Sequence, residues 1–177
     1  MLFRSVASVP SVQQRIADEA ASLDLGADGT ADCLARLVYT RATVQEALRL
    51  YPPAYGIFRV ARKADAAGGI TIPKGAVIMI APWLLHRHRR LWRDPDLFEP
   101  TRFLPGAPQP ARFSYLPFGV GPRVCIGAQF ALTEATLVLA RLVQAFEIGL
   151  ADSRPVVPVA AITVHPDHAA PFRLRRR

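Results

Sequence analysis

"PFGVGPRVCIG", residues 117 to 127, decides how the rest of the chain is read. Three glycines, two prolines and one arginine crowd around a single cysteine, Cys125, just before a long apolar run that begins at Ala128. Gly119 and Gly121 permit tight or left-handed turns, and Pro122 stiffens the backbone ahead of the cysteine. Gly127 removes a side chain where something flat can lie close to the backbone. The apolar run predicts a helix whose first N–H groups point back at the sulfur, which favours the thiolate. Phe118 is placed to shield that sulfur from water, and Arg123 offers a fixed cation to a carboxylate or phosphate. Together these features describe an exposed, tuned thiolate beside a flat apolar surface.

Three chemistries use such a sulfur. Nucleophilic catalysis needs a base within reach. The candidates are His86, His88, His165 and His168; none stands in a dyad context, although pairing in space stays open. Zinc needs more ligands than Cys125 and scattered histidines supply at the usual spacings. Iron needs only one protein sulfur when a macrocycle supplies four other positions. Cys33, with no special neighbours, reads as a small buried hydrophobe.

The wider composition bounds the setting. The chain has 177 residues, 51% of them apolar, enough for a packed core in one domain or in a piece of a larger one. Its net charge is +8, carried almost wholly by arginine. Such a balance fits nucleic acid, an anionic membrane surface or an acidic protein partner. The two basic clusters, "HRHRRLWR" (86–93) and "RLRRR" (173–177), read as a solvated face and a frayed tail. Two cysteines fit a reducing compartment. The first ten residues hold no signal-peptide run, and no stretch approaches the ~20 apolar residues of a membrane span. A soluble, cytoplasmic chain is the expectation.

Along the chain, "PSVQQRIADEAASL" (10–23) places Val12, Ile16 and Ala20 or Leu23 at helical spacing, and Gly26 and Gly29 break the pattern. A second helix is expected from an N-cap at Thr40 to Leu50, stopped by Pro52-Pro53. "IFRVARKAD" from 57 predicts a strand. "GITIPKGAVIMIAP" predicts two strands paired as a hairpin around Pro73-Lys74-Gly75. Residues 86–112 read as turns and loops. Residues 128–146 read as a buried helix, apolar on nearly every face except at Glu134 and Arg141. The tail allows a terminal hairpin. The sum is mainly α with a small β-sheet, an α+β layout.

With these residues in place, "FGVGPRVCIG" resembles the haem-binding loop of the cytochrome P-450 family, Phe-x-x-Gly-x-Arg-x-Cys-x-Gly. Phe118, Gly121, Arg123, Cys125 and Gly127 fill the fixed positions. Upstream, "EALR" resembles the family's Glu-x-x-Arg pair at Glu46 and Arg49, and "FEPTRF" resembles the segment carrying the third member of that charge triad, Arg102. The likeness runs from about residue 6 to the end, with Val38 and Arg89 standing where many relatives carry proline.

The resemblance implies residues 1–177 as a single partial domain: the C-terminal haem-binding portion of the cytochrome P-450 fold, without the distal helix and the N-terminal half. It implies haem b, with Cys125 as axial and catalytic thiolate, and Arg123 and Arg59 pairing with haem propionates. His86 is read as a structural histidine near the loop. Ala54, Tyr55, Gly56 and Ile57 lie where a substrate-contact segment is expected, and the segment around Ala160 to Thr163, with Ile162, where the last such contact turn falls. The implied activity is a haem-thiolate monooxygenase, placing one oxygen atom from O2 into an apolar organic substrate with electrons from a ferredoxin or flavoprotein reductase. A chain of this length is expected to lack full activity, and the alternative is a truncated remnant that binds haem weakly without turnover. A basic nucleic-acid-binding module is disfavoured, because no helix shows a basic face with aromatic interleaving.

Overall fold

A computed structural model describes residues 1–26 and 30–177; the expected break at Gly29 lies outside them. Six α-helices and eight β-strands follow in order among the described residues: α1 (Leu2–Ser8), α2 (Pro10–Ala20), α3 (Thr30–Cys33), α4 (Val38–Leu50), β1 (Ile57–Val60), β2 (Asp65–Ala67), β3 (Ile70–Ile72), β4 (Val77–Ile80), α5 (Pro82–Leu85), α6 (Ala128–Ala145), β5 (Phe146–Leu150), β6 (Pro158–Ala160), β7 (Val164–Pro166) and β8 (Phe172–Arg176). No helix among them is long and apolar enough to cross a membrane. The layout is α+β. In place of one small sheet, its strands form four antiparallel pairs: β1–β4, β2–β3, β5–β8 and β6–β7.

The core lies where α2, α4 and α6 meet. Ile16, Val44, Leu132, Leu139 and Val143 form its centre, and Val6 of α1 joins them. The α2 helix starts on Pro10, whose fixed φ and missing N–H suit a first helical position. Gln13 on its buried face behaves like a strand neighbour: its side-chain amide donates to the carbonyl of Ile148 at 2.9 Å and accepts from the Ile148 N–H at 2.6 Å. Cys33 is buried in a second cluster with Leu37 and Ala140, as its plain surroundings suggested.

Four local expectations need correction. Thr40 does not cap α4. The helix starts at Val38, and Thr40 lies buried inside its first turn because the Glu19 carboxylate has taken over the capping. Pro73-Lys74-Gly75 does not close a hairpin between β3 and β4. Gly68 and Gly69, with φ of +57° and +80°, make the tight turn instead, and β2–β3 folds as an inner hairpin inside the β1–β4 pair.

The third correction is at α6, which is covered on one side only. Leu132, Leu139 and Val143 are buried, but Phe130 is 72% exposed and Val138 is exposed too. All-round apolarity asks for cover on both sides, and the described residues supply one. Finally, the "RLRRR" tail is no frayed end: β8 pairs with β5, and Arg175 forms an ion pair with its register partner Glu147.

Candidate functional site

Two constructions, one buried and one open, hold the residues singled out by the sequence. The buried one is built on α4. Glu46 and Arg49 stand one turn apart, both fully buried. Arg49 Nε and Nη2 donate to the two carboxylate oxygens of Glu46 at 2.7 and 2.9 Å. Its remaining donors reach the backbone carbonyls of His86 and Pro95, each at 2.7 Å, and of Leu97 at 3.0 Å. All five guanidinium donors are thereby satisfied. Arg102, in a 3-10 turn at Pro100–Phe103, brings its Nε to 3.4 Å from Glu46, and the Glu99 N–H donates to the same oxygen at 2.8 Å. The Trp92 ring faces the Arg49 guanidinium at 5.1 Å. One helix is thus pinned to the long irregular segment 86–103.

The "HRHRRLWR" cluster is divided by this arrangement. His86 and Trp92 are buried, and Arg87 stacks on Trp83 at 3.7 Å while donating to the Leu50 carbonyl. His88, Arg89, Arg90, Leu91 and Arg93 are the part that faces solvent. A uniformly solvated face is therefore wrong at His86, Arg87 and Trp92; for Arg87 the aromatic neighbours Trp83 and Tyr51 carry the signal.

The open construction is a groove of about 830 Å3 between the β1 strand and the cysteine loop. Cys125, Arg123, Phe118, Arg59, Ala54, Gly56 and Ile57 all line it. Gly119 and Gly121 adopt φ of +73° and +76°, the left-handed turns expected of them. The loop then returns so that the Cys125 N–H donates to the Phe118 carbonyl at 2.9 Å. Cys125 is exposed, and a Cβ built on Gly127 would lie 3.9 Å from its Sγ. The sulfur therefore sits beside Gly127, the N-cap of α6.

Other residues are placed differently from expectation. The Phe118 ring packs partly into the core, leaving the sulfur open to the groove. Tyr55 and Ile162 do not line the groove; Thr163 does, together with Phe58, Val60 and Pro117. None of the four histidines lines it, so Cys125 has no imidazole base there. No cluster of three or more His, Cys, Asp or Glu able to hold a metal ion occurs among the described residues.

The groove's chemistry is specific. No acidic residue lines it, its walls are largely apolar, and one thiol opens into it. Among the described residues Arg123 forms no ion pair, and Arg59 uses one donor on the Phe58 carbonyl. Two cations without counter-ions on an apolar groove suit a flat amphiphile that carries carboxylates, with the sulfur free to ligate. Haem has that character, and the residues present fit it.

The family model described as Cytochrome P450 matches residues 1–168. The chain belongs to the cytochrome P450 family. It is 34% identical over 177 residues to mouse (Mus musculus) cytochrome P450 4A10, covering 99% of this chain and 35% of the relative. It is 40% identical over 147 residues to dog (Canis lupus familiaris) cytochrome P450 3A12, covering 82% of this chain and 29% of the relative. A pig (Sus scrofa) protein named taurochenodeoxycholic 6 alpha-hydroxylase is 35% identical over 176 residues, 97% of this chain and 34% of its own length. Among solved structures, a retinoic-acid-bound cyanobacterial CYP120A1 superposes with a TM-score of 0.90 at 29% identity, over 97% of this chain and 40% of that one. This P450 chain spans about a third of the length of the curated relatives it matches. Its fold is the P450 fold over that span.

Proposed function

We propose that Cys125 would hold haem b through its thiolate sulfur, and that this chain supplies the thiolate side of a P450 monooxygenase. The observation that carries the reading is the Cys125 thiol on one groove with two uncompensated arginines, Arg59 and Arg123. Those arginines would hold the propionates, Phe118 and Gly127 would bound the ring, and Ala54, Gly56, Ile57 and Thr163 would face an apolar organic substrate. When bound, the haem supplies a redox-active iron, which a thiolate makes electron-rich so that O–O cleavage is favoured. The chain's own part is to hold the sulfur: the 3-10 turn at Gly121–Arg123 and the Cys125–Phe118 hydrogen bond fix it. Gly127, the N-cap of α6, keeps the start of that helix beside the sulfur. Electrons would come from a ferredoxin or flavoprotein reductase, with the exposed Arg89, Arg90, Arg93 and Arg112 as cations for an acidic donor.

A specific observation favours weak haem retention by these residues alone. Val124, Ile126 and Phe130, around the cysteine, are all exposed. The test is to add haemin, reduce, and expose the sample to carbon monoxide. The expected result is a weak, red-shifted Soret band of thiolate ligation that Cys125→Ser abolishes. A band of unchanged position and height in Cys125→Ser overturns the assignment.

A further inference from the structure

His86 follows α5 and is fully buried, outside the groove. Its Nδ1 lies 3.1 Å from the Arg49 carbonyl oxygen, and its Nε2 lies 2.8 Å from the Leu116 backbone nitrogen. The Leu116 N–H can only donate, so Nε2 accepts, and the ring proton sits on Nδ1 and is donated to Arg49. Arg49 answers through Nη1, which donates to the His86 carbonyl. On the far side of Leu116 the bonding continues. The Leu116 carbonyl accepts from Gly119 N–H at 3.2 Å, and the Phe118 carbonyl accepts from Cys125 N–H.

We infer that His86 is a positioning residue for the cysteine loop. It ties the stem of that loop, at Leu116, to the backbone of the helix carrying the Glu46–Arg49 pair. An apolar side chain of equal volume fills the same space without setting where the Leu116 amide sits. A hydrogen bond does set it, since burying an unpaired amide is penalised. Both ring nitrogens are partnered, and each partner belongs to a different element; Tyr115 at 5.3 Å fixes the ring plane between them. The functional meaning of the inference rests on Cys125 being the haem ligand, but the geometry does not.

The test uses two substitutions that divide the two contacts. In His86→Gln the amide oxygen reaches toward Leu116. In His86→Asn the shorter side chain reaches only Arg49. Amide hydrogen exchange is measured on the full chain without added haem. The expected result is about tenfold faster exchange across 116–127 in His86→Asn, with α2 and α6 still protected and His86→Gln close to wild type. Wild-type loop protection in both variants overturns the inference, as does equal loosening in both or uniform loosening of the whole fold, since those outcomes mean that His86 only fills volume. The measurement needs no haem, so its failure leaves the thiolate reading standing, and a missing thiolate band leaves this one standing.

Discussion

Glu19 on α2 caps the helix to which Thr40 belongs. Its carboxylate accepts from the backbone N–H of Tyr39 at 2.6 Å and of Thr40 at 2.8 Å, and from the Thr40 hydroxyl at 2.6 Å. Three donors at the start of α4, two of them on the fully buried Thr40, thus depend on a single side chain from another helix. Glu19→Ala is expected to destabilise the fold by about 2 kcal/mol, as a lost cap with charged hydrogen bonds does. Glu19→Gln should lose about half of that. Urea unfolding of both variants checks the order; an Ala variant as stable as wild type would show that α4 needs no external cap.

The buried pair one turn further along has larger consequences. Removing Glu46 leaves the Arg49 charge in the core, with only carbonyls and an aromatic face around it. Glu46→Ala is expected to cost about 3–5 kcal/mol, the usual result of breaking a buried pair by one member. Arg102, only partly buried and at 3.4 Å, contributes much less. The check is thermal unfolding followed by circular dichroism, with Arg102→Ala as the comparison; equal losses in the two variants would contradict this ranking.

The contrast between these two cases shows what a sequence discloses. The cysteine loop could be read because its constraints are local: glycines at positive φ, a proline in the turn and a helix start all lie within eleven consecutive residues. Glu46 and Arg49 were legible as a pair through the likeness of "EALR" to the family's Glu-x-x-Arg; residues three apart on a helix share a face, but that spacing alone describes an exposed pair as well as a buried one. The cap from Glu19 was not, since it crosses twenty residues and depends on how α2 lies against α4. The same holds for Gln13 and Ile148, which are 135 residues apart. The inner β2–β3 hairpin carries a Gly-Gly signal at Gly68 and Gly69, which the expectation of a turn at Pro73-Lys74-Gly75 leaves unused. In the groove, Phe58 and Val60 join Ile57 and Arg59, so all of β1 lines it and no alternation in the sequence marks which of its residues face the cavity.

Gln13 supplies a third prediction. Its amide satisfies both the N–H and the C=O of Ile148 within the core. Gln13→Ala should cost about 2–4 kcal/mol, because two buried backbone groups lose their partners together. Gln13→Glu keeps the volume but offers no donor to the carbonyl while ionised, so it should be at least as harmful near neutral pH. Chemical denaturation at fixed pH measures both; a loss below about 0.5 kcal/mol in each would mean that water replaces the amide.

Gly121 provides a test within the cysteine loop. Its φ is +76°, and a Cβ there would meet nothing within 4 Å, so Gly121→Ala adds backbone strain without a clash. The expected cost is about 1–2 kcal/mol, the usual left-handed penalty for an L-residue. That strain should appear as faster modification of the Cys125 thiol by a neutral alkylating reagent, with little change in helix content. Unaltered thiol reactivity and stability would show that the loop tolerates a right-handed turn at this position.

Acid should weaken the fold through His86. Burial, with the Arg49 and Arg87 charges adding, pushes its pKa down from 6.5 to about 4. The unfolded chain therefore takes up a proton between these values that the folded chain refuses. Stability is complete above about pH 6.5 and falls as pH drops toward 4, because the unfolded state binds more protons across that window. His86→Gln carries no such group, so wild type should lose about 2 kcal/mol relative to the variant between about pH 7 and about pH 4.5. Taking the difference between the two proteins cancels the carboxylates that titrate at the acid end of this window; Asp167 and Glu147 are held below their usual values by hydrogen bonds. Parallel pH profiles for the two proteins would mean that His86 does not sit neutral between Arg49 and Leu116.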